Sequence, residues 1–351
     1  MKKEITVLLL VLLLFAPKVF GQEKRFSVYA VGFYNLENLF DTCHDAGKND
    51  YEYLPAGSMK WNGLKYSNKL KNMSNALADM GSDVLPASVG CACIGISEVE
   101  NEKVLIDLCN QPALKARNMK FVHIEGPDRR GVDCAMLYNP KMFKVRDTKL
   151  VPYVSQLAKD STYRTRGFLV VSGDLAGDHV AIVVNHLPSR AVGSFYREQG
   201  ASQIKALKDS LIKDDPNVKV MVMGDMNDDP TDPSMTKCLK AKANIKDVGD
   251  DDMYNPWYNI LAKQGIGTLT YQGSWNLFDQ IILSPSLLNR DGKKDYSSLK
   301  YFKHGIFRRD YLIQKEGKAK GSPKRTHSGG VWLNGYSDHL PVIVYLAKEQ
   351  K

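Results

Sequence analysis

The sequence lacks most of the signatures that assign a chain at once. After its first residues it has no run approaching the ~20 apolar residues that a membrane-spanning helix needs. No Pro/Ser/Gly-rich linker, internal repeat or low-complexity tract divides it, which argues against a solenoid or a string of tethered modules. No G-x-S-x-G elbow and no Gly-Lys-Ser/Thr loop occurs, so a covalent serine nucleophile and a P-loop are both unsupported. Cysteines are few: Cys43, Cys91, Cys93, Cys109, Cys134 and Cys238. None has zinc-site spacing, because Cys91-Ala92-Cys93 is not C-x-x-C. Cys91, Cys93 and Cys134 lie in apolar strand-like runs, where a thiol behaves as a small hydrophobe. Mostly buried thiols are expected, with room for one unassigned bridge.

Several positive features remain. The chain opens with Lys2 and Lys3, an apolar run from Ile5 to Ala16, and the small residue Gly21 before Gln22. That pattern is a secretory signal peptide over residues 1–21, and no cysteine sits near the cut to carry a lipid. The expectation is an exported protein, periplasmic or extracellular, with one α/β domain over residues 22–351. The formal charge is +9, and removing Lys2, Lys3, Lys18 and Glu4 leaves +7. Residues 290–325 hold twelve Lys/Arg against four acids, a local +8, so the rest of the mature chain is near neutral. Such a surface either solvates a loop or concentrates an anionic partner.

Strand-like runs recur at 26–34, 92–97, 119–124, 132–138, 163–172, 179–185, 218–223, 278–283 and 340–346. Helical patterns fall at 66–80, 101–116 and 195–213, and 250–270 reads as a long loop. Many strands have two apolar faces and the helices are too few to cover them all. Paired sheets flanked by helices follow.

The polar residues cluster at strand ends. Tyr34-Asn35-Leu36-Glu37, Ser97-Glu98, Asn185-His186, Gly224-Asp225-Met226-Asn227, Asp279 and Asp338-His339 all adjoin strand-like runs. One polar strand end is usually a turn; six that end together would form a ligand crevice. Glu37, Glu98, Asp225, Asn227 and Asp338 are hard oxygen donors, suited to Mg²⁺, Mn²⁺ or Ca²⁺ rather than zinc. With His186 and His339 they point to metal-assisted hydrolysis of a phosphate-bearing substrate.

In order along the chain, "FYNLENLFD", "GISEVEN", "VVNHLPSR", "GDMND", "LFDQIILS" and "YSDHLPV" resemble the endonuclease/exonuclease/phosphatase superfamily, from about residue 28 to 346. The resemblance implies a DNase I-like four-layer αββα sandwich: two mixed sheets packed face to face and flanked by helices. It also implies roles. Glu98 would be the principal Mg²⁺ ligand, supported by Asn35, with Glu37 a second or water-mediated ligand and Asp338 completing the site. His186 would contact the scissile phosphate, and Asn227 would bind a phosphoryl oxygen. Asp225 would orient or deprotonate the attacking water. Asp279 would hold His339, which stabilises charge on phosphorus. Arg166 falls where DNase-like members grip a phosphate. One departure is Ile96-Ser97-Glu98, where many nucleases read Leu-Gln-Glu.

His44, His123, His179, His304 and His327 match no motif and read as surface or satisfied core residues. Asp133 reads as structural, and Asp228 and Asp229 as turn and helix-start residues. Trp275, four residues before Asp279, is the one tryptophan placed to line a cleft. The leading expectation is a secreted nuclease acting on DNA or RNA as a monomer, with no stable protein partner. The alternative substrate is a small or lipid phosphoester, and a binding module on a dead scaffold is disfavoured by the intact polar set.

Overall fold

The computed structural model describes residues 25–157 and 163–350; the leader assigned to residues 1–21 lies outside them. β1 (Phe26–Leu39) leads to α1 (Gly63–Asp79), β2 (Cys91–Val99), α2 (Glu102–Cys109) and α3 (Pro112–Ala116). Next come β3 (Lys120–His123), β4 (Asp133–Tyr138), β5 (Phe143–Val151), β6 (Phe168–Leu175) and β7 (Asp178–His186). α4 (Ser194–Asp214), β8 (Lys219–Asp225), β9 (Ala241–Lys242), β10 (Met253–Tyr254) and α5 (Tyr258–Gln264) follow. The chain closes with β11 (Leu269–Tyr271), β12 (Ser274–Asn276), β13 (Asp279–Leu283), β14 (Lys300–Ile306), β15 (His327–Ser328), β16 (Val331–Trp332) and β17 (Val342–Glu349).

The large strands form two mixed sheets, ordered β14-β17-β1-β2-β4-β3 and β5-β6-β7-β8-β13-β10-β9. Their inner faces supply one shared core. Val31, Phe33, Cys93, Met136 and Val344 of the first sheet join Leu169, Ile182, Met221, Met223 and Ile281 of the second. Burying each such side chain stabilises by about 1.5–3 kcal/mol before entropy is counted. Outside the first sheet, Met73, Leu77, Val104 and Leu105 cover Ile94, Ile96 and Tyr345. Outside the second, Ala201 and Ile204 of α4 cover Ala181, Val183 and Val222. The result is the expected αββα sandwich.

The differences from the sequence reading are local. The helical pattern at 101–116 is two helices, because Pro112 has no N–H to continue the first. α1 starts at Gly63, where the Asn62 side chain accepts the Lys65 N–H. The presumed loop at 250–270 contains α5, ended by Gly265 in the left-handed region. β5 and β14 were not anticipated; both are sheet edges interrupted by basic residues, Lys144, Arg146 and Lys149 in the first and Lys300 and Lys303 in the second, so their apolar signal is weak. All six thiols are free, with Cys91, Cys93 and Cys134 buried, so the allowance for a bridge is withdrawn. Asp228 and Asp229 do not start a helix. Asp228 is buried against Arg197 and Ser234, while the Asp232 carbonyl accepts from Met235 and Thr236. Among the described residues no helix is long and apolar enough to cross a membrane.

Candidate active site

Sheet register, not sequence proximity, gathers the polar strand ends. β1 and β2 run parallel with Asn35 beside Ser97, so Glu98 leaves the sheet where Glu37 does. β7 and β8 run parallel with His186 beside Asp225. β13 is antiparallel to β8 and begins where β8 finishes, placing Asp279 opposite Asp225. β17 is antiparallel to β1, so the preceding Asp338-His339 lies at the same end. Gly224 permits this closeness: a Cβ there would come within 2.1 Å of the Asn185 carbonyl oxygen on β7.

Asp225 is the hub. Its Oδ2 accepts from Asn35 Nδ2 at 2.9 Å, a bond joining the two sheets. Its Oδ1 accepts the Asn227 N–H at 2.9 Å. His339 Nε2 stands 3.9 Å and His186 Nε2 3.6 Å from Oδ2. On its far side His339 Nδ1 meets Asp279 Oδ2 at 2.7 Å, with Asp279 fully buried. Glu98 Oε1 lies 3.8 Å from His186 Nε2, and its Oε2 accepts the Asn38 N–H at 2.9 Å. Asn227 donates its side-chain amide to the Leu187 carbonyl at 2.9 Å.

A family model for the endonuclease/exonuclease/phosphatase family matches residues 30–348, spanning every one of these groups. The chain belongs to that family. No curated protein sequence matches it. Among solved structures, an endonuclease/exonuclease/phosphatase family protein from Bacteroides thetaiotaomicron superposes with TM-score 0.56 at 15% identity, covering 93% of this chain and 100% of that one. The B. thetaiotaomicron mannosyl-6-phosphatase gives 0.53 at 15%, covering 91% and 99%. D. rerio TDP2 complexed with single-strand DNA product gives 0.53 at 13%, covering 91% and 99%. At these identities the likeness concerns the fold.

The chain is thus an endonuclease/exonuclease/phosphatase-type phosphoesterase, and its cleft shows the strain and charge tuning of a reactive site. Ten non-glycine residues among those described have positive φ, and four of them, Glu37, Asn38, Glu98 and Asn227, are at this cleft. Left-handed backbone is costly for such residues and persists where surrounding contacts over-determine it. Here each sits just where a strand must turn its last side chains into the crevice. Arg190 braces one of these turns: it donates to the Asn227 carbonyl at 3.2 Å, pairs with Asp229 and Asp232, and lies over Phe278.

Burial also separates the protonation states. Burial, with Asp279 and Glu98 adding, raises Asp225 to about 6 despite the opposing His339 charge and the Asn227 N–H. Burial pushes His186 well down, helped by the Arg166 and Arg130 charges, so it is neutral at pH 7. Burial opposes the charged form of His339 too, but Asp279 and Asp225 outweigh it and hold His339 well above its usual value. It is an imidazolium at pH 7. Asp225, Asp279 and His339 have ligand-capable atoms within 4.8 Å of one another. A cation between Asp279 and His339 would break their hydrogen bond, so this trio reads better as a proton-holding relay than as a coordination shell. Glu98, with a carboxylate oxygen directed into the cleft, is the better hard-oxygen donor.

The remaining candidates are more heavily engaged than their residue types suggested. Glu37 is buried; Oε1 faces Arg325 Nε at 3.2 Å, and Oε2 accepts the Thr326 N–H at 2.6 Å. Burial and Asp338 push Glu37 up to about 7 against the pull of Lys69 and Arg325. Asp338 Oδ2 accepts from Arg325 Nη2 at 3.0 Å. Arg166 is near enough for its charge to bear on His186, but it is buried, held to Asp128 at 2.9 Å and to the Leu187 carbonyl at 3.2 Å. Asp128, Lys69 and Arg190 were not singled out from the sequence, and Arg325 was counted only as part of the basic stretch. Arg325 stands 288 residues from Glu37, and no local pattern links such distant partners. Trp275 packs on the first sheet's outer core with Arg308 over its ring, a partly buried platform rather than an open one.

The basic stretch divides. β14 pairs with β17 so that Lys300 lies opposite Ala347 and Ile306 opposite Val342. Seven strand residues span about 20 Å, which carries Arg290, Lys293, Lys294 and Lys300 to the end of the molecule away from the cleft. The local +8 of residues 290–325 is therefore not one surface beside the site. Arg308, Arg309, Lys315, Lys318, Lys320, Lys324 and Arg325 follow β14, with Asp310 and Glu316 as the acids; of these Arg325 reaches the cleft acids Glu37 and Asp338, whereas Arg309 pairs with Asp79, the last residue of α1.

Proposed function

We propose that this protein is a Mg²⁺-dependent phosphodiesterase, exported from the cell, that cleaves nucleic acid by attack of water on phosphorus. The observation that carries the hydrolytic reading is the convergence of Glu98, His186, Asp225, Asn227, Asp279 and His339 from both sheets around one cleft. Glu98 would hold the ion, with Asn35 orienting Asp225 nearby. Bound there, a divalent ion would neutralise phosphoryl oxygens and make phosphorus more electrophilic.

The chain's own residues divide the remaining work. Asp225 is ionised at pH 7 and accepts the proton of the attacking water as the water oxygen bonds to phosphorus and the ester P–O bond breaks, the leaving oxygen taking a proton from solvent. His339 is already charged, so it cannot also be the base; it stabilises negative charge gathering on the phosphoryl oxygens. Asp279 keeps that imidazolium oriented. His186 is neutral and donates a hydrogen bond to the scissile phosphate, and the Asn227 amide serves another oxygen. Arg166, fixed by Asp128, contributes its charge beside His186 and the phosphate.

Arg325 at the cleft and the further lysines and arginines that follow β14 in the chain favour a polyanion, and a solved relative in fold holds a DNA product. A smaller phosphoester is the second reading. It is favoured by a cavity of about 160 Å³ bordered by Glu37, Tyr53, Arg325 and His327. The test is a panel of plasmid DNA, RNA, sphingomyelin, inositol and sugar phosphates and bis-p-nitrophenyl phosphate, with Mg²⁺, Mn²⁺ or chelator. Metal-dependent plasmid nicking or RNA cleavage, lost in His339→Ala, supports the nuclease. Turnover of the small or lipid esters alone replaces it with the second reading, and chelator-resistant turnover removes the metal.

A further inference from the structure

The cleft contains two sets of acids, and they are balanced differently. Glu37 and Asp338 are bridged by a single guanidinium: Arg325 Nε is 3.2 Å from Glu37 Oε1, and Nη2 is 3.0 Å from Asp338 Oδ2. Lys69 Nζ stands 4.0 Å from Glu37 Oε2. It is almost wholly buried and is fixed by Thr326 Oγ1 at 2.6 Å and by the Tyr336 carbonyl. Two carboxylates thus face two fixed cations. On the other side Glu98, Asp225 and Asp279 share the charged His339, and the nearby Arg166 is already paired with Asp128, which leaves this side the more negative of the two.

Arg325 is not a surface side chain that happens to lean inward. Lys324 donates its N–H to Leu312 and accepts from Tyr336, each at 2.7 Å, and Thr326 accepts from Leu333 at 2.9 Å. Gly335 packs so closely that a Cβ would meet the Arg325 carbonyl oxygen at 2.1 Å. The backbone on both sides of the guanidinium is therefore held. A planar guanidinium that is always charged suits bidentate bridging of two carboxylates. A metal ion placed between Glu37 and Asp338 would have to expel it and then sit beside the buried Lys69, with like-charge repulsion in a low-dielectric site.

We propose that Arg325, backed by Lys69, is a built-in substitute for a second metal ion between Glu37 and Asp338, so that the cleft takes a single divalent cation on its Glu98 side. This rests on the metal-dependent reading above. Arg325 is then a positioning residue that supplies fixed positive charge beside the phosphate, and Glu37 and Asp338 serve it rather than the ion. The side chain is about half exposed, at 46%, so the same guanidinium is open to the cleft.

Mn²⁺ titration of the full chain, followed by calorimetry and electron paramagnetic resonance, tests this without an activity assay. The wild type is expected to bind one ion per chain with the spectrum of an isolated Mn²⁺. Arg325→Gln should bind two, with the broadening of ions about 4 Å apart, and Arg325→Lys should return to one. Two ions in the wild type, or one in Arg325→Gln, would overturn the proposal. If Arg325→Gln does not fold, Asp338→Asn and Glu98→Gln decide: the first should leave Mn²⁺ affinity within about threefold, whereas the second should weaken it by about tenfold or more, the scale of losing a contact that matters to a metal site. Equal weakening by both substitutions also overturns the substitution of Arg325 for an ion. A wild type that binds no Mn²⁺ ends the metal-dependent reading and this inference together, whereas one that binds two ends only the latter.

Discussion

The molecule contains two Asp–His pairs of nearly the same length at opposite ends of the second sheet. At the cleft, His339 Nδ1 meets Asp279 at 2.7 Å. At the other end, His179 Nδ1 meets Asp215 at 2.6 Å, and His179 Nε2 meets Ser172 Oγ at 2.6 Å. By atom types alone the second set looks the more catalytic, since it has the order of a Ser-His-Asp triad. Its surroundings say otherwise. Ser172 lies on the regular strand β6, and the His179 and Asp215 side chains are 23% and 37% exposed to water. The cleft pair is buried, flanked by Asp225, Asp338 and His186, and set among residues with left-handed backbone. Hydrogen-bond length does not separate a working pair from a surface one. Burial and neighbouring charge do, because they decide which proton is held and what it can stabilise.

The largest effect should come from breaking the cleft pair. His339→Ala should reduce kcat/KM for phosphodiester hydrolysis by about 1,000-fold, the scale of removing a preorganised stabiliser of developing charge. His179→Ala should leave it unchanged within error. If steady-state kinetics showed comparable losses for both, the contrast between the two ends would be wrong. Asp279→Asn should cost about 100-fold through kcat rather than KM, while Asp215→Asn costs nothing.

A smaller effect concerns stability and pH. Asp225 and Glu37 have folded pKa values raised to about 6 and about 7, above those of free carboxyls. Protonation therefore favours the folded state, and that contribution is lost as pH rises through those values. Asp215 runs the other way: its hydrogen bond from His179 lowers it, so it helps above the usual carboxyl range and stops helping in acid. Thermal shift in the presence of chelator should show the cleft becoming a burden between pH 5.5 and 8. Added Mg²⁺ should raise Tm more at pH 8 than at pH 5.5, since Asp225, next to the proposed Glu98 site, is ionised at the higher pH and favours a nearby cation. An equal shift at both pH values would mean that Asp225 titrates normally.

The smallest effect separates the two halves of the basic stretch. Lys318→Glu with Lys320→Glu should weaken DNA binding several-fold and flatten its salt dependence, because each phosphate contact adds about 0.9 to the slope of log affinity against log salt. Lys293→Glu with Lys294→Glu, at the far end, should do neither. Equal weakening by both pairs, measured by fluorescence anisotropy across a salt series, would show that the polyanion does not track the cleft.

Much of this was legible without coordinates. Val180 to Val184 reads as a strand covered on both faces because it is continuously apolar, and it is one. Asn35, Glu98, His186, Asp225, Asp279 and His339 were readable as strand-end residues because strands have a two-residue period and a definite end. β14 was not readable: as a partly exposed edge strand, Lys300-Tyr301-Phe302-Lys303-His304 has little apolar patterning. Its direction then decided that Arg290, Lys293, Lys294 and Lys300 lie away from the cleft.

Composition and pattern along the chain determined that this protein has layered sheets with hard oxygen donors and imidazoles at strand ends, and six ordered motifs marked its resemblance to the phosphoesterase family. Strands and their ends follow from local preferences, which a linear sequence records. Tertiary structure alone decided which acids are free and which are taken. Arg325 reaches Glu37 across 288 residues and Arg166 reaches Asp128 across 38. Long-range pairing of charges depends on three-dimensional distance and on the dielectric around each group, and neither quantity is written in the order of the residues.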